Sequence, residues 1–301
     1  MSAGARAAGL MVLATVCFAL MAITIRYASR ELHAFEIVFF RNFFGLVFAI
    51  PLLLRTGTGI LRTQRSGMYL TRCLVGLGAM LSGFWAVIHL PLAQAVALSY
   101  TTPLFVTIGA VIFLGEVVRA RRWSAVAVGF LGMLVILRPF DASWEWPALI
   151  AILSAALSAS SAISIKFLSR TEAPDAIVIY MVLIMTPLSL LPALPVWEWP
   201  STTCWIWLAA TGLLGTLGHV LLTRAYRLGD VSALTPINFL QLPILALLGW
   251  WLFQEQVDRY TLIGAAIIIG ATLYIAHREA VLARRVVTDE TIGAQSKQAS
   301  R

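Results

Sequence analysis

Between Ala7 and Ile25 the chain runs for nineteen residues without a single charge, and nine further stretches are similarly apolar. This pattern limits the fold more than any other feature. A helix in water needs only one apolar face. A bilayer core about 30 Å thick instead asks for roughly 20 mostly apolar residues in each crossing helix. The runs here are continuous rather than alternating, which favours helices over the strands of a barrel. The predicted spans are 7–28, 35–54, 69–89, 92–114, 122–138, 146–167, 174–196, 203–225, 231–252 and 260–277. The fold class is therefore all-α integral membrane, with ten transmembrane helices. The first run exceeds the roughly 7–15 residues of a signal-peptide core, and more spans follow it, so it is kept as helix 1.

Charge then orients the spans. The net charge of +8 would suggest nucleic acid as a partner if the chain were soluble, but only 12% of residues are charged and the mean hydropathy is +0.87. Lys and Arg lie between the apolar runs, where they set topology. Ten spans leave both termini on one side. That side carries fifteen basic residues, including Arg55, Arg62, Arg65, Arg72 and the Arg119–Arg122 cluster. The other side carries four: Arg26, Arg30, Arg138 and Arg259. By the positive-inside rule both termini face the cytoplasm, with residues 278–301 as a cytoplasmic tail. Trp144, Trp146, Trp197 and Trp199 then fall at the outer interface. The three cysteines have no metal or redox spacing and read as small apolar fillers.

The chain also repeats itself. AITIRYASR from Ala22 matches AISIKFLSR from Ala162 at an offset of 140, with Arg26 replaced by Lys166. FLGE ending at Glu116 matches LFQE ending at Glu255 at an offset of 139, and Gly132 falls on Gly270 at 138. Five helices per copy is an odd number, so the second copy enters from the opposite face. The expected units are 7–138 and 146–277, two inverted five-helix repeats. Secondary transporters are built this way, with the substrate site near the midplane between halves.

Three segments carry a family resemblance: FEIVFFRNFFG in helix 2, LPLAQAVALSYTTPLF leading into FLGE, and GDVSALTPINFLQLPI leading into FQE. From about Gly9 to Ile275 the chain resembles the drug/metabolite transporter superfamily, in its EamA group. No single motif is specific to that group; the repeated pattern is. The resemblance implies a central cavity and transport across a bacterial inner membrane, often export of amino acids or related metabolites. The first half is similar to the branch that includes S-adenosylmethionine carriers, riboflavin importers and exporters of opine-type metallophores. Substrate and direction vary within that group.

Polar groups inside a span are candidates for the site. Arg41 lies well inside helix 2, and its repeat counterpart is Met181. Facing a cavity it could pair with a carboxylate or phosphate; alternatively it snorkels to the outer interface. His219, among small residues of helix 8, could couple transport to protons or be a neutral structural histidine. Helices 4 and 9 supply Tyr100, Thr102, Asn238 and Gln241 beside Pro103, Pro236 and Pro243. Proline-interrupted segments at matching places in two halves are the best pointer to a site. Glu116 and Glu255 end their helices and are read as structural, each lying just before the next helix, whose N-terminus a carboxylate favours. The serines of helix 6 are read as close-packing residues.

These features predict a secondary transporter for a small polar or amphipathic metabolite, with export favoured and uptake as the alternative. A membrane-embedded enzyme ranks below both, because no zinc-protease helix, phosphate loop or acidic metal cluster is present in the sequence. No catalytic residue, metal or cofactor is expected. The expected partners are a small-molecule substrate and the lipid bilayer, with protons a candidate coupling ion and a homodimer a candidate assembly.

Overall fold

A computed structural model describes residues 3–56, 63, 65–114, 120–138, 146–168, 172, 174–228, 234, 237–274 and 277. Among these the chain is helical, with no strand. Its helices are α1 (Ala3–Ala28), α2 (Ala34–Thr56), α3 (Ser66–His89), α4 (Leu92–Ser99), α5 (Thr102–Leu114), α6 (Ala120–Leu137), α7 (Trp146–Leu168), α8 (Pro174–Ala193), α9 (Thr202–Leu228), α10 (Gln241–Phe253) and α11 (Arg259–Tyr274). At 1.5 Å per residue, the 26 residues of α1 reach about 39 Å, enough to cross a bilayer core. Among the described residues, six segments are long and apolar enough to cross a membrane: Ala5–Ala28, Ser66–His89, Leu92–Gly109, Trp146–Ile165, Ala176–Val196 and Thr202–Leu222.

Exposure runs opposite to that of a soluble protein. Ile112, Leu131, Ile206, Leu247 and Trp251 are exposed on the outer faces, while Thr15, Glu36, Arg41, Asn42, Arg72 and Thr211 are buried. Water would penalise such an outer surface, whereas lipid tails do not. Helix contact inside the bundle then depends on packing and hydrogen bonds rather than on expulsion of water. Thr211 Oγ1 donates to Thr24 Oγ1 at 2.8 Å across the α1–α9 contact. Trp199 and Trp146 are strongly exposed, whereas Trp197 packs beside Phe39 and Phe40.

The main helix contacts pair the two copies crosswise. Helix α1 packs on α9, and its repeat counterpart α7 packs on α3, the counterpart of α9. Likewise α2 packs on both α8 and α9, and α8 packs in turn on α3. Helices α6 and α11, which belong to different copies, also approach closely. A methyl group on Gly132 would stand 2.9 Å from the carbonyl oxygen of Gly264, and one on Gly264 2.5 Å from that of Gly132. Only glycine lets these backbones come so near.

The helix expected over 92–114 is interrupted at Tyr100 and Thr101, and the chemistry of the break is local. Pro103 has no N–H to give to the carbonyl of Ser99. Thr102 Oγ1 donates to that carbonyl instead, at 2.7 Å. Ser99 Oγ and Thr101 Oγ1 donate to the carbonyls of Val96 and Leu98, both at 2.7 Å. The second copy breaks at the equivalent place. Leu242 N donates to the Phe239 carbonyl at 3.2 Å, the acceptor that Pro243 leaves open, and regular helix begins at Gln241.

Candidate functional site

The two breaks meet. Tyr100 and Phe239 are equivalent at the repeat offset of 139. Their rings contact edge to face, with centroids 4.9 Å apart. Tyr100 Oη donates to the backbone carbonyl of Asn238 at 3.1 Å, satisfying an acceptor that an unwound turn leaves open. Asn238 and Gln241 are half-buried beside this contact. Thr102 donates its hydroxyl proton to the Ser99 carbonyl within its own turn, which leaves its oxygen as an acceptor. Tyr100→Phe removes one hydrogen bond and keeps the ring. It is expected to cost about 1 kcal/mol, read as a lower thermal midpoint, with transport reduced more than abundance. An unchanged midpoint would mean that water replaces the hydroxyl.

Arg41 and His219 form a second group on the other side of α1. Arg41 is only 2% exposed, and Nη1 donates to Asn42 Oδ1 at 3.0 Å. Asn42 Nδ2 in turn donates to Ser189 Oγ of α8 at 3.3 Å. The guanidinium extends from α2 towards α9, with Nε 3.1 Å from the position of a methyl group on Gly215. Gly212 of α9 lies against the Cβ of Phe44, one turn further along α2. Arg41 therefore leans along the bundle towards Gly215 and away from the end of α2 that begins at Ala34. His219 lies one turn beyond Gly215 and meets Phe18 edge to face at 5.2 Å. Phe18 and Met21 face this group, whereas Ala19, Ala22 and Ile23 pack in the core that contains Tyr100.

Glu255 joins the copies at one end of the bundle. Gln254 takes a left-handed backbone at φ 57° and turns the chain so that Glu255 folds back beside Gly249. Oε1 accepts from Arg26 Nη2 and Oε2 from the Leu92 amide, each at 2.7 Å. The same arginine donates to the carbonyls of Ile88 and Leu90. A cation thus sits on the last carbonyls of α3 and a carboxylate on the first amide of α4, each matching the helix dipole it meets. Glu255 serves the N-terminus of a helix in the other copy rather than that of α11. Glu116 lies outside the described residues.

Sequence reading missed two residues here. It did not pair Arg26 with Glu255, and it set Glu255 against the helix that follows it, although both members recur in the repeat. It also counted Arg72 among the basic residues flanking the spans on the terminus side, although the predicted span 69–89 contains it. The structure buries Arg72 within α3 at 6% exposure, so that residue belongs to the bundle and not to the charge count that orients the chain. Elsewhere, a groove of ≈ 540 Å³ lined by Ser29–His33 and Leu194–Glu198 shares no residue with the three groups above.

Comparison with known proteins agrees with this duplicated architecture. The model of the EamA-like transporter family matches twice, over residues 5–138 and 145–276. The riboflavin transporter of Rhizobium johnstonii is 34% identical over 276 residues, covering 89% of this chain and 90% of that protein. The S-adenosylmethionine uptake transporter of Rickettsia felis is 32% identical, covering 84% and 86% respectively. The pseudopaline exporter CntI of Pseudomonas aeruginosa is also 32% identical, covering 89% and 94%. A crystal structure with 19% identity superposes with a TM-score of 0.65 over 94% of this chain and 99% of that one, which shows a shared fold. With two matches that together take in nearly all its described helices, the chain belongs to the EamA-like transporter family and is a multi-pass membrane transporter.

Proposed function

We propose that the chain is a ten-helix secondary carrier of the bacterial inner membrane, built as inverted repeats over 7–138 and 146–277. Both termini are cytoplasmic in this reading, and alternating access moves a small polar or amphipathic metabolite. The observation that carries it is the Tyr100–Phe239 contact, where two helix breaks at repeat-equivalent positions face one another between the copies. Irregular backbone at membrane depth is tolerated where protein or a wet cavity supplies partners, and such paired breaks mark transporter sites. The crosswise packing of α1 on α9 and α7 on α3 supports the inverted arrangement. Tyr100, Asn238 and Gln241 line one part of the proposed site, and Arg41 and His219 another. No catalytic step is assigned to any of them.

In this mechanism the Arg26–Glu255 pair holds one end of the bundle closed, and its rupture lets the copies separate there. The sequence repeats both members as Lys166 and Glu116, so the repeat predicts an equivalent pair closing the opposite end in the alternate state. One end opens as the other closes.

Export is the proposed direction, in keeping with the pseudopaline exporter. Uptake is the second reading, favoured by the names of the S-adenosylmethionine relatives. Proteoliposomes of known orientation test both, with labelled riboflavin and labelled S-adenosylmethionine under imposed pH gradients. The expected result is flux of at least one compound well above that of empty vesicles, with the faster direction giving the physiological one. Flux equal to that of empty vesicles for both compounds under every gradient would remove both from the proposed substrates.

A further inference from the structure

Two buried arginines in this bundle lack a counter-charge among the described residues. Arg41 is 2% exposed and Arg72 6% exposed, and each sits in the interior of an apolar helix. The described ion pairs are Arg26 with Glu255 and Arg138 with Asp258; neither involves Arg41 or Arg72. A guanidinium carries five N–H donors and no acceptor. For Arg41 the described hydrogen bond goes to the neutral amide oxygen of Asn42. For Arg72, Nη2 faces the sulfur of Met181 at 3.6 Å, a weak acceptor, and Nε is buried without a partner. A buried cation with no opposing charge is costly, and inside a membrane it is kept for function rather than for stability.

The two guanidiniums border the same part of the bundle, on either side of His219. Arg41 lies against Gly215 of α9, where a methyl group would be 3.1 Å from Nε and 3.0 Å from the sulfur of Met21, so a side chain at 215 would displace the arginine. A methyl group on Gly45, one turn along α2 from Arg41, would stand 3.4 Å from Thr216 Oγ1 of α9 and 3.9 Å from Val182 Cγ1 of α8. Val182 adjoins Met181, the residue that Arg72 meets. His219 lies within electrostatic range of both arginines. The cluster thus draws Arg41 and Arg72 from the first copy and Met181, Gly215 and His219 from the second. Phe18, Met21 and Met181 give it apolar walls.

We infer that Arg41 and Arg72 each bind an anionic group, a carboxylate or a phosphate, of the molecule this protein carries, while the apolar walls take the remainder of it. The inference rests on the carrier reading and gives its substrate class as an organic anion. A guanidinium presents parallel donors that match two oxygens of either anion. Arg41 lies opposite Met181 in the repeat, so the two copies contribute unequally: one brings the charge, the other the apolar contact.

The test uses the full chain in neutral detergent, with benzoate, benzamide and inorganic phosphate as probes. Binding is read as a shift in thermal midpoint. Inorganic phosphate is expected to raise the midpoint of the native chain, and benzamide, which has the same ring as benzoate without the charge, is expected to leave it unchanged. Benzoate is also expected to raise the thermal midpoint of the native chain, with the rise lost in Arg41→Gln and Arg72→Gln and partly kept in Arg41→Lys. Equal effects of benzoate and benzamide, or an undiminished benzoate shift in both glutamine variants, would overturn the inference. A midpoint raised by phosphatidylglycerol but not by benzoate or phosphate would also overturn it, in favour of a lipid headgroup. These readouts need no transport, so their failure beside intact proteoliposome flux would refute the anion site and leave the carrier standing.

Discussion

Glu255→Ala is expected to lower stability by about 2–3 kcal/mol and to leave the bundle open at the end where Arg26 lies. The carboxylate has two partners at 2.7 Å, the Arg26 guanidinium and the Leu92 amide, and is largely shielded, with 16% side-chain exposure against 19% for Arg26. Removing it strands a cation and an unpaired helix-terminal amide. Glu255→Gln should cost less, because its amide oxygen still accepts from Leu92. Arg26→Ala should resemble Glu255→Ala, and the double variant should add little to either. A coupling of about 1 kcal/mol or more is expected from the double-mutant cycle, read from thermal or denaturant midpoints. Strictly additive losses would show that the two residues stabilise the fold separately.

The second large effect concerns the contact between α6 and α11. Gly264→Leu is expected to abolish folded protein, and Gly264→Ala to cost about 1–3 kcal/mol. The added carbon meets Ile136 and the backbone carbonyl of Gly132, and a backbone cannot step aside as a flexible side chain can. Gly270, on the same helix, is the internal control: nothing lies within 4 Å of a methyl group placed there. Gly270→Ala should therefore be neutral or slightly stabilising. Size-exclusion profiles and thermal midpoints of the three variants decide it. A Gly264→Leu protein as stable as the Gly270→Ala control would mean that the two copies are not held by this crossing.

Much of the architecture was legible because hydrocarbon imposes a simple rule on sequence. Apolar length gave the helices, and self-similarity gave their two copies, since AITIRYASR and AISIKFLSR share both polarity and register. The break near Pro103 was legible as a weakness, but its repair was not. Whether Thr102 turns its hydroxyl inward or back to Ser99 depends on backbone geometry that hydropathy does not encode. Arg72 was misplaced because a single arginine near the end of an apolar run reads equally as a flanking charge or a buried one. Neighbouring helices decide between these, through Met181 here. The Arg26–Glu255 pair spans 229 positions in sequence. Its signal was present in the joint repetition of a base and an acid, yet only folding shows that the base of one copy meets the acid of the other.

The central claim is that two copies exchange closed ends, and a distance measured across one end tests it most directly. His89, at the end of α3, and Gln256, next to Glu255, are both exposed and belong to different copies. After replacement of the three buried cysteines, spin labels at 89 and 256 in lipid nanodiscs report the gap by pulsed electron resonance. The account predicts a short distance in the native chain, with a second, longer population that dominates in Glu255→Ala. A single distance, identical in the native chain and in Glu255→Ala, would contradict it.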